Sequence, residues 1–295
     1  MVSIIILNYN TFDLTCDCIR SIIKFTQCTY EIVLVDNGSM ECDPEKFLSY
    51  FPKITLIKSK ENLGFSKGNN LGIDNAIGDQ ILLLNSDTVL INEAIDLSVN
   101  RIKKDNKIGA LSAQLIGKNG EIQQASYQFT SIFKLIVCTL KLHLIFSKLK
   151  PIIPPLEKEH FTKGLWGTFF LFPKSVLSIF PNNKLTETFF MYCEDAEWSY
   201  ILVKAKYKLL YFPSAKIFHY GEGSSKIEDY KKKLNTLNNQ YHLLYITKSR
   251  IYASAYFLIT SVFYISSFNK ELYKEAKTLA KISIKNLFFY KKISV

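Results

Sequence analysis

At 295 residues and 48% hydrophobic, with 22 Phe and 17 Tyr, the chain can fill one large core and carry an appendage besides. Its formal charge of +11 is lopsided: residues 226–295 hold 13 Lys/Arg against 4 Asp/Glu, and the rest is near neutral. Six Cys at 16, 18, 28, 42, 138 and 193 form no paired CxxC motifs, which argues against a zinc site and a secreted disulfide framework and fits a reducing cytosol.

The chain opens on an apolar run, Val2–Leu7, too short for a signal-peptide core and with no basic segment before it, so a cytoplasmic protein is expected. Further strands are predicted at 31–35, 54–58, 80–84 and 108–115, with helices at 13–25, 44–51, 66–77 and 92–104 between them. The strand runs are rich in Ile, Leu and Val without alternation, as when helices cover both faces of a mostly parallel sheet. The expected fold is therefore α/β over residues 1–225, in two halves at 1–115 and 116–225.

Between Glu121 and Glu157 there is no acidic residue, while Lys134, Lys141, Lys148 and Lys150 punctuate Phe, Leu and Ile. Residues 131–149 read either as a basic amphipathic segment or as a helix on the domain's own core. Strands and a short helix return over 164–220. From 226 the chain reads as a basic, aromatic helical tail. Residues 251–269 hold no charge, close to the roughly 20 residues that span a bilayer. Five Ser and Thr dilute that stretch, so a helix lying in the membrane interface is expected, with a buried bundle helix as the competing reading.

Four segments carry polar groups to strand ends or a helix start: Ile6–Asn10, Val33–Ser39, Glu61–Gly72 and Leu84–Thr88. In an open α/β sheet, ligands sit at the C-terminal ends of the strands. Asp87 follows the apolar run 81–84 and is placed to reach a divalent cation. Each segment also reads as an ordinary turn, and Gly64, Gly68 and Gly72 lack both the GxGxxG spacing and the Gly-Lys-Ser/Thr of a P-loop.

Taken in order, Asn8-Tyr9-Asn10, Val35–Ser39, Asn62–Phe65, Asn69-Asn70, Asn85–Thr88, Met191–Asp195 and Phe218-His219 resemble glycosyltransferase family 2, its rhamnosyltransferase-like group in particular. The resemblance runs from residue 2 to about 245. It implies a GT-A fold, a nucleotide-sugar donor such as dTDP-rhamnose or a UDP-hexose, and Mg²⁺ or Mn²⁺. Asp36 would recognise the nucleoside. Asn8, Asn10, Asn37, Asn62, Gly64, Phe65, Asn70, Asn85 and Ser86 would complete the donor site. Asn85-Ser86-Asp87 stands at the family's Asp-x-Asp motif with Asn in first place, which leaves Asp87 as the firm metal ligand. His219 would add a second ligand or bind the diphosphate, although a structural histidine is the plain alternative.

By the same resemblance Asp195 is the general base and Glu194 its neighbour, positioning donor or acceptor. Trp166 and Gly167 would line the acceptor pocket, where core packing accounts for Trp166 equally well. The implied activity is inverting transfer to a growing cell-surface glycan, lipid-linked, at the inner face of the cell membrane. The basic tail would meet that membrane, and nucleic acid is not the expected partner. Two other classes compete. A nucleotidyltransferase would show a Gly-rich basic loop after strand one, where this chain has Asn8–Asp13. A decayed membrane- or nucleic-acid-binding module on the same fold stays open because of Asn85.

Overall fold

The computed structural model describes residues 1–129, 131–140, 155–221, 229–266 and 270–289. The chain divides into two units, Met1–Gln128 with Pro154–Lys226, and Phe129–Ile153 with Ile227–Val295.

In the first unit, β1 (Val2–Asn8), β2 (Tyr30–Asp36), β3 (Thr55–Lys58), β4 (Gln80–Asn85) and β6 (Ile108–Ile116) fall within a residue of the five expected strands. Helices α1 (Phe12–Phe25), α2 (Lys46–Tyr50), α3 (Gly64–Asp74) and α4 (Ala94–Lys103) lie between them. Short strands follow: β5 (Thr88–Leu90), β7 (Ile122–Gln123), β8 (Ser126–Tyr127), β9 (His160–Thr162) and β10 (Gly164–Leu165). The unit closes with β11 (Phe169–Pro173), α6 (Glu194–Lys204) and β12 (Lys208–His219).

Ten strands form one sheet in the order β3-β2-β1-β4-β11-β6-β12-β5, with β7 on β6 and β9 on β12. Strands β1, β2, β3, β4, β6 and β12 share one direction, and β11 runs against them between β4 and β6. The sheet is thus mixed, though mostly parallel along its main strands.

Successive residues of a strand point to opposite faces. Ile4, Ile6, Leu82 and Leu84 accordingly meet Cys18, Ile19 and Ile22 of α1 and Ile95, Val99 and Ile102 of α4. Ile5, Val33, Val35 and Leu83 meet Ile73 of α3 and Trp198 and Leu202 of α6. Burial on both faces is why the strand sequences show no alternation.

The second unit takes in Phe129–Ile153, which the sequence reading assigns to the first domain. Its helix α5 (Ile132–Thr139) packs on α8 (Arg250–Ser266), where the Tyr252 hydroxyl accepts the Ile132 N–H at 3.3 Å. Residues 141–149 of the expected basic segment lie outside the described residues. With α7 (Asp229–Thr247) and α9 (Lys270–Phe289), α8 buries Leu237, Tyr241, Ala253, Phe257, Leu279 and Ile282.

Two of the serines that dilute the uncharged stretch bind helix to helix. Ser254 shares a 2.7 Å hydrogen bond with the Tyr241 hydroxyl, and Ser261 donates to the Ala276 carbonyl at 2.8 Å. One side of α8 is therefore a bundle helix, as the competing reading had it. Among the described residues no helix is long and apolar enough to cross a membrane.

Leu82 is fully buried and pairs with Ile4 on one side and Leu171 on the other. Leu82→Ala is expected to cost about 2–5 kcal/mol of unfolding free energy, measured by urea titration. A loss under about 1 kcal/mol would mean that the sheet centre is not packed as described.

Candidate active site

The register sets Asn8 opposite Asp36 and Leu7 opposite Asn85, so β1, β2 and β4 end level. Strand β12 runs the same way and ends at His219. Of the four segments singled out in the sequence, three close these strands and the fourth begins α3.

Asn8 organises the edge. Its amide donates to Asp36 Oδ1 at 2.8 Å and to Ser39 Oγ at 3.0 Å. Its Oδ1 accepts the Thr11 and Thr15 hydroxyls at 3.0 and 2.8 Å. The second Asp36 oxygen accepts the Ser39 N–H at 3.2 Å. A carboxylate offers about four acceptor positions, so Asp36 retains capacity for a ligand N–H. Asn10 adopts a left-handed conformation and latches the loops, donating its N–H to Ser39 Oγ and accepting the Met40 N–H on Oδ1.

Several residues expected at the donor site also shape its loops. The Asn37 amide donates to Asn62 Oδ1 and the Gly64 carbonyl, while its own Oδ1 accepts the Leu63 N–H. Gly64 has φ +78°, and a Cβ there would stand 2.3 Å from the Phe190 carbonyl oxygen. That same carbonyl accepts the Phe65 N–H at 2.8 Å, which fastens α3 to the loop before α6. Asn70 reaches the Leu185 backbone and Glu187. The Phe65 ring stacks on Trp198 at 6.1 Å.

Asp87 is buried in the β4–β5 turn, and its Oδ2 lies 3.6 Å from His219 Nε2. Antiparallel pairing of His219 with Thr88 makes that approach. His219 Nδ1 donates to Gln123 Oε1 at 2.7 Å, so the neutral ring turns its Nε2 lone pair toward the carboxylate. Burial lowers the His219 pKa, against the opposing pull of Asp87. A carboxylate oxygen and an imidazole lone pair this close fit a shared Mn²⁺ or Mg²⁺. Among the described residues no group of three or more His, Cys, Asp or Glu gathers for a metal, so further ligands would be diphosphate oxygens and water. Asn85 and Ser86 flank the turn: Ser86 Oγ lies 3.0 Å from Thr11 Oγ1, and the Asn85 N–H donates to the Thr168 carbonyl at 3.0 Å.

The next backbone group along, the Gly167 N–H, donates to Asp195 Oδ2 at 2.9 Å. A Cβ at Gly167 would crowd the Phe65 ring at 3.1 Å. Asp195 and Glu194 open α6 directly after Tyr192 and Cys193, both left-handed at φ 70° and 77°. Each such non-Gly residue costs on the order of 1–3 kcal/mol, and strain of this kind collects at functional sites. Burial pushes both acids upward. For Asp195 the Gly167 and Ala196 N–H groups oppose that rise, whereas for Glu194 the neighbouring Asp195 charge adds to it. Glu194 is 7% exposed, and its Oε2 has no hydrogen-bond partner within the protein. Asp195 is thus the more readily ionised of the pair, and Glu194 the one held neutral. Trp166, the residue before Gly167, is 39% exposed.

Sequence reasoning missed several supports. Tyr127 is half-buried, with its hydroxyl enclosed near Asp195 and Ser199 and driven well above its ordinary pKa by burial and then by the Asp195 charge. Its ring fills the space over Gly164, where a Cβ would meet it at 2.1 Å. Tyr127 lies in a two-residue strand with no periodic signal. Ser39 stood inside a quoted motif, and only its bonds to Asn8, Asn10 and Asp36 reveal its part. Gln123 reaches His219 solely through the pairing of β7 with β6.

The chain matches the family model Glycosyl transferase family 2 over residues 3–179. It is 23% identical over 215 residues to the N-acetylglucosaminyl-diphospho-decaprenol L-rhamnosyltransferase of Mycobacterium tuberculosis, covering 66% of this chain and 68% of that protein. A glycosyltransferase of Rickettsia felis is 31% identical over 129 residues, 41% of this chain but 20% of the relative's length. Among solved structures, GalNAc-T7 with UDP, GalNAc and Mn²⁺ aligns at TM-score 0.57 and 16% identity. That alignment covers 98% of this chain and 58% of the other, and it shows the GT-A fold that the resemblance implied.

Because Glu194 holds its proton more tightly folded than unfolded, its contribution to stability is complete below the ordinary value of 4.5 and falls as pH rises above it. Glu194→Gln, which removes that titration, is expected to gain stability relative to the parent as pH climbs from 5 to 8, roughly by the order of 1 kcal/mol. Urea titrations at several pH values read the difference. A gap that stays constant with pH would mean that Glu194 is ionised in the folded protein.

Proposed function

The chain belongs to glycosyl transferase family 2, and from that premise we propose that it is an inverting, metal-assisted glycosyltransferase using dTDP-rhamnose or a UDP-hexose. Its acceptor is a growing cell-surface glycan on a lipid carrier, worked on at the inner face of the cell membrane and held there by the basic tail. One observation carries the reading. Adjacent residues Gly167 and Thr168 tie the Asp195 carboxylate and the Asn85 backbone into one small region, so a base and the diphosphate edge are neighbours.

In this reading Asp36 receives an N–H of the nucleoside base, with Asn8 and Ser39 fixing its orientation. Asn85, Ser86 and the turn around Asp87 face the diphosphate. Asp87 and His219 would hold Mg²⁺ or Mn²⁺, which supplies charge stabilisation to the leaving diphosphate. Asp195 takes the proton of the acceptor hydroxyl as that oxygen forms its bond to the anomeric carbon and the bond to diphosphate breaks. A single in-line displacement inverts the anomeric configuration. Neutral Glu194 offers a hydrogen bond to a sugar hydroxyl, which would satisfy its orphaned oxygen. The exposed Trp166 face suits the apolar side of a sugar ring. The distant likeness to the mycobacterial rhamnosyltransferase favours rhamnose and a diphospholipid-linked acceptor.

Thermal-shift measurements with dTDP, UDP and their sugars, with and without Mn²⁺, test the donor site. A metal-dependent rise in Tm is expected for one nucleotide series, and Asp87→Ala should remove its metal-dependent part. Asp195→Asn should keep the shift while transfer drops about 10²–10⁴-fold. In the parent enzyme the rate should fall on acidification through a value above the ordinary 3.8, since Asp195 must be ionised to act. No shift with any nucleotide, or full turnover by Asp195→Asn, would overturn the proposal.

A further inference from the structure

Among its described residues, the second unit carries an apolar surface that their packing does not use. On α8, Ile251, Leu258, Val262 and Ile265 are exposed, Val262 at 55% and Ile251 at 75%. Their spacing of seven, four and three residues puts them in one stripe along the helix. No charged residue interrupts residues 251–266. An adjoining side of α8 is committed to the bundle through Ala253, Ser254, Phe257 and Ser261.

Helix α5, in contact with α8, repeats the arrangement. Leu135 and Val137 are buried, whereas Phe133, Ile136 and Leu140 are exposed, Phe133 at 65%. A segment from the middle of the chain and one from its tail thus each contribute an unused apolar stripe to the same unit. Exposed patches of this kind mark interaction surfaces.

Charge identifies the partner. Phe129–Ile153 and Ile227–Val295 together hold sixteen Lys/Arg against four Asp/Glu. On α9 the exposed Lys274, Lys277, Lys281 and Lys285 recur at helical spacing, with exposed Ile284 and Phe288 beside them. A second copy of so basic a unit would be repelled. A nucleic acid would match the charge but not the uncharged apolar stripes. An anionic lipid surface matches both, with apolar side chains below the headgroups and lysines at their level.

We propose that α5 and α8 form one composite docking face that lies flat on an anionic bilayer, inserting Phe133, Leu140, Leu258, Val262 and their neighbours without crossing it. This deepens the reading of a lipid-linked acceptor: the membrane contact is a folded two-helix face drawn from both chain segments of the second unit, and not from the tail alone. Helix α8 spans 17 residues, about 25 Å at 1.5 Å per residue, short of a hydrocarbon core of about 30 Å. Its buried serines, bonded to α7 and α9, keep that side turned away from lipid.

The test is sedimentation of the full chain with vesicles of phosphatidylcholine alone or with one-third phosphatidylglycerol. Binding to the anionic vesicles is expected, weakened at least about tenfold by Val262→Glu and by Phe133→Glu separately, since each loses a buried apolar side chain. Both positions are exposed, so the fold should tolerate the changes, and circular dichroism checks this. Ile77→Glu, at an exposed apolar position of the first unit, should bind as the parent does. Undiminished binding by both variants would overturn the proposal, as would a parent that ignores anionic vesicles. A dimer in solution that Val262→Glu splits, without vesicle binding, would assign the face to a second copy instead. The assay needs no donor or turnover, so it can fail while transfer to a water-soluble acceptor succeeds, and the reverse.

Discussion

The site depends on one reversal of direction in the sheet. Strand β4 is flanked by parallel β1 and antiparallel β11, and the chain entering β11 must therefore pass the C-terminal end of β4. That passage brings Thr168 to the Asn85 N–H and leaves Gly167 to meet Asp195. Were β11 parallel, residues 164–168 would lie at the far edge, and the strand ends would face no carboxylate from α6. In the proposed reading, a nucleotide edge becomes a transfer site because this short strand turns round.

The second element is an acid pair kept in an unfavourable state. Two consecutive left-handed residues set the entry to α6, and burial disfavours charge on both Glu194 and Asp195. The Gly167 N–H and the first N–H groups of α6 relieve Asp195, whereas Glu194 is relieved by its own N–H alone and feels the Asp195 charge besides. Two adjacent carboxyls are thus pushed apart in proton affinity, the usual way a protein assigns one to accept a proton and the other to hold one. Gly64 and Phe190 supply the rigidity: the loop that carries the strained pair is bonded to the start of α3, and α3 to the strand ends through Asn37 and Asn62.

Much of this could be read from the residues. The five long strands declared themselves because burial on both faces demands unbroken Ile, Leu and Val. The ordered motifs led to the family. What stayed hidden is whatever depends on tertiary pairing. Phe169–Pro173 reads as a strand, but nothing local gives its direction. Tyr127 and Gln123 sit in two-residue strands whose pairing alone fixes them. Asn37, Asn62 and Asn70 could serve loops and ligands alike as far as the sequence goes, and the bonds that tie them to distant parts of the protein were not legible there. The affiliation of 129–140 with the C-terminal helices was illegible too, since an apolar helix does not say which core it joins.

The central claim is that the ends of β1, β2, β4 and β12 make one nucleotide-diphosphate site with Asp195 across from it. A crystal structure with dTDP or UDP and Mn²⁺, using anomalous scattering to locate the metal, tests it most directly. Manganese at coordination distance from Asp87, with the base at Asp36 and the diphosphate between them, is the expected result. Manganese bound at Glu194 and Asp195, or a nucleotide away from these strand ends, would contradict it.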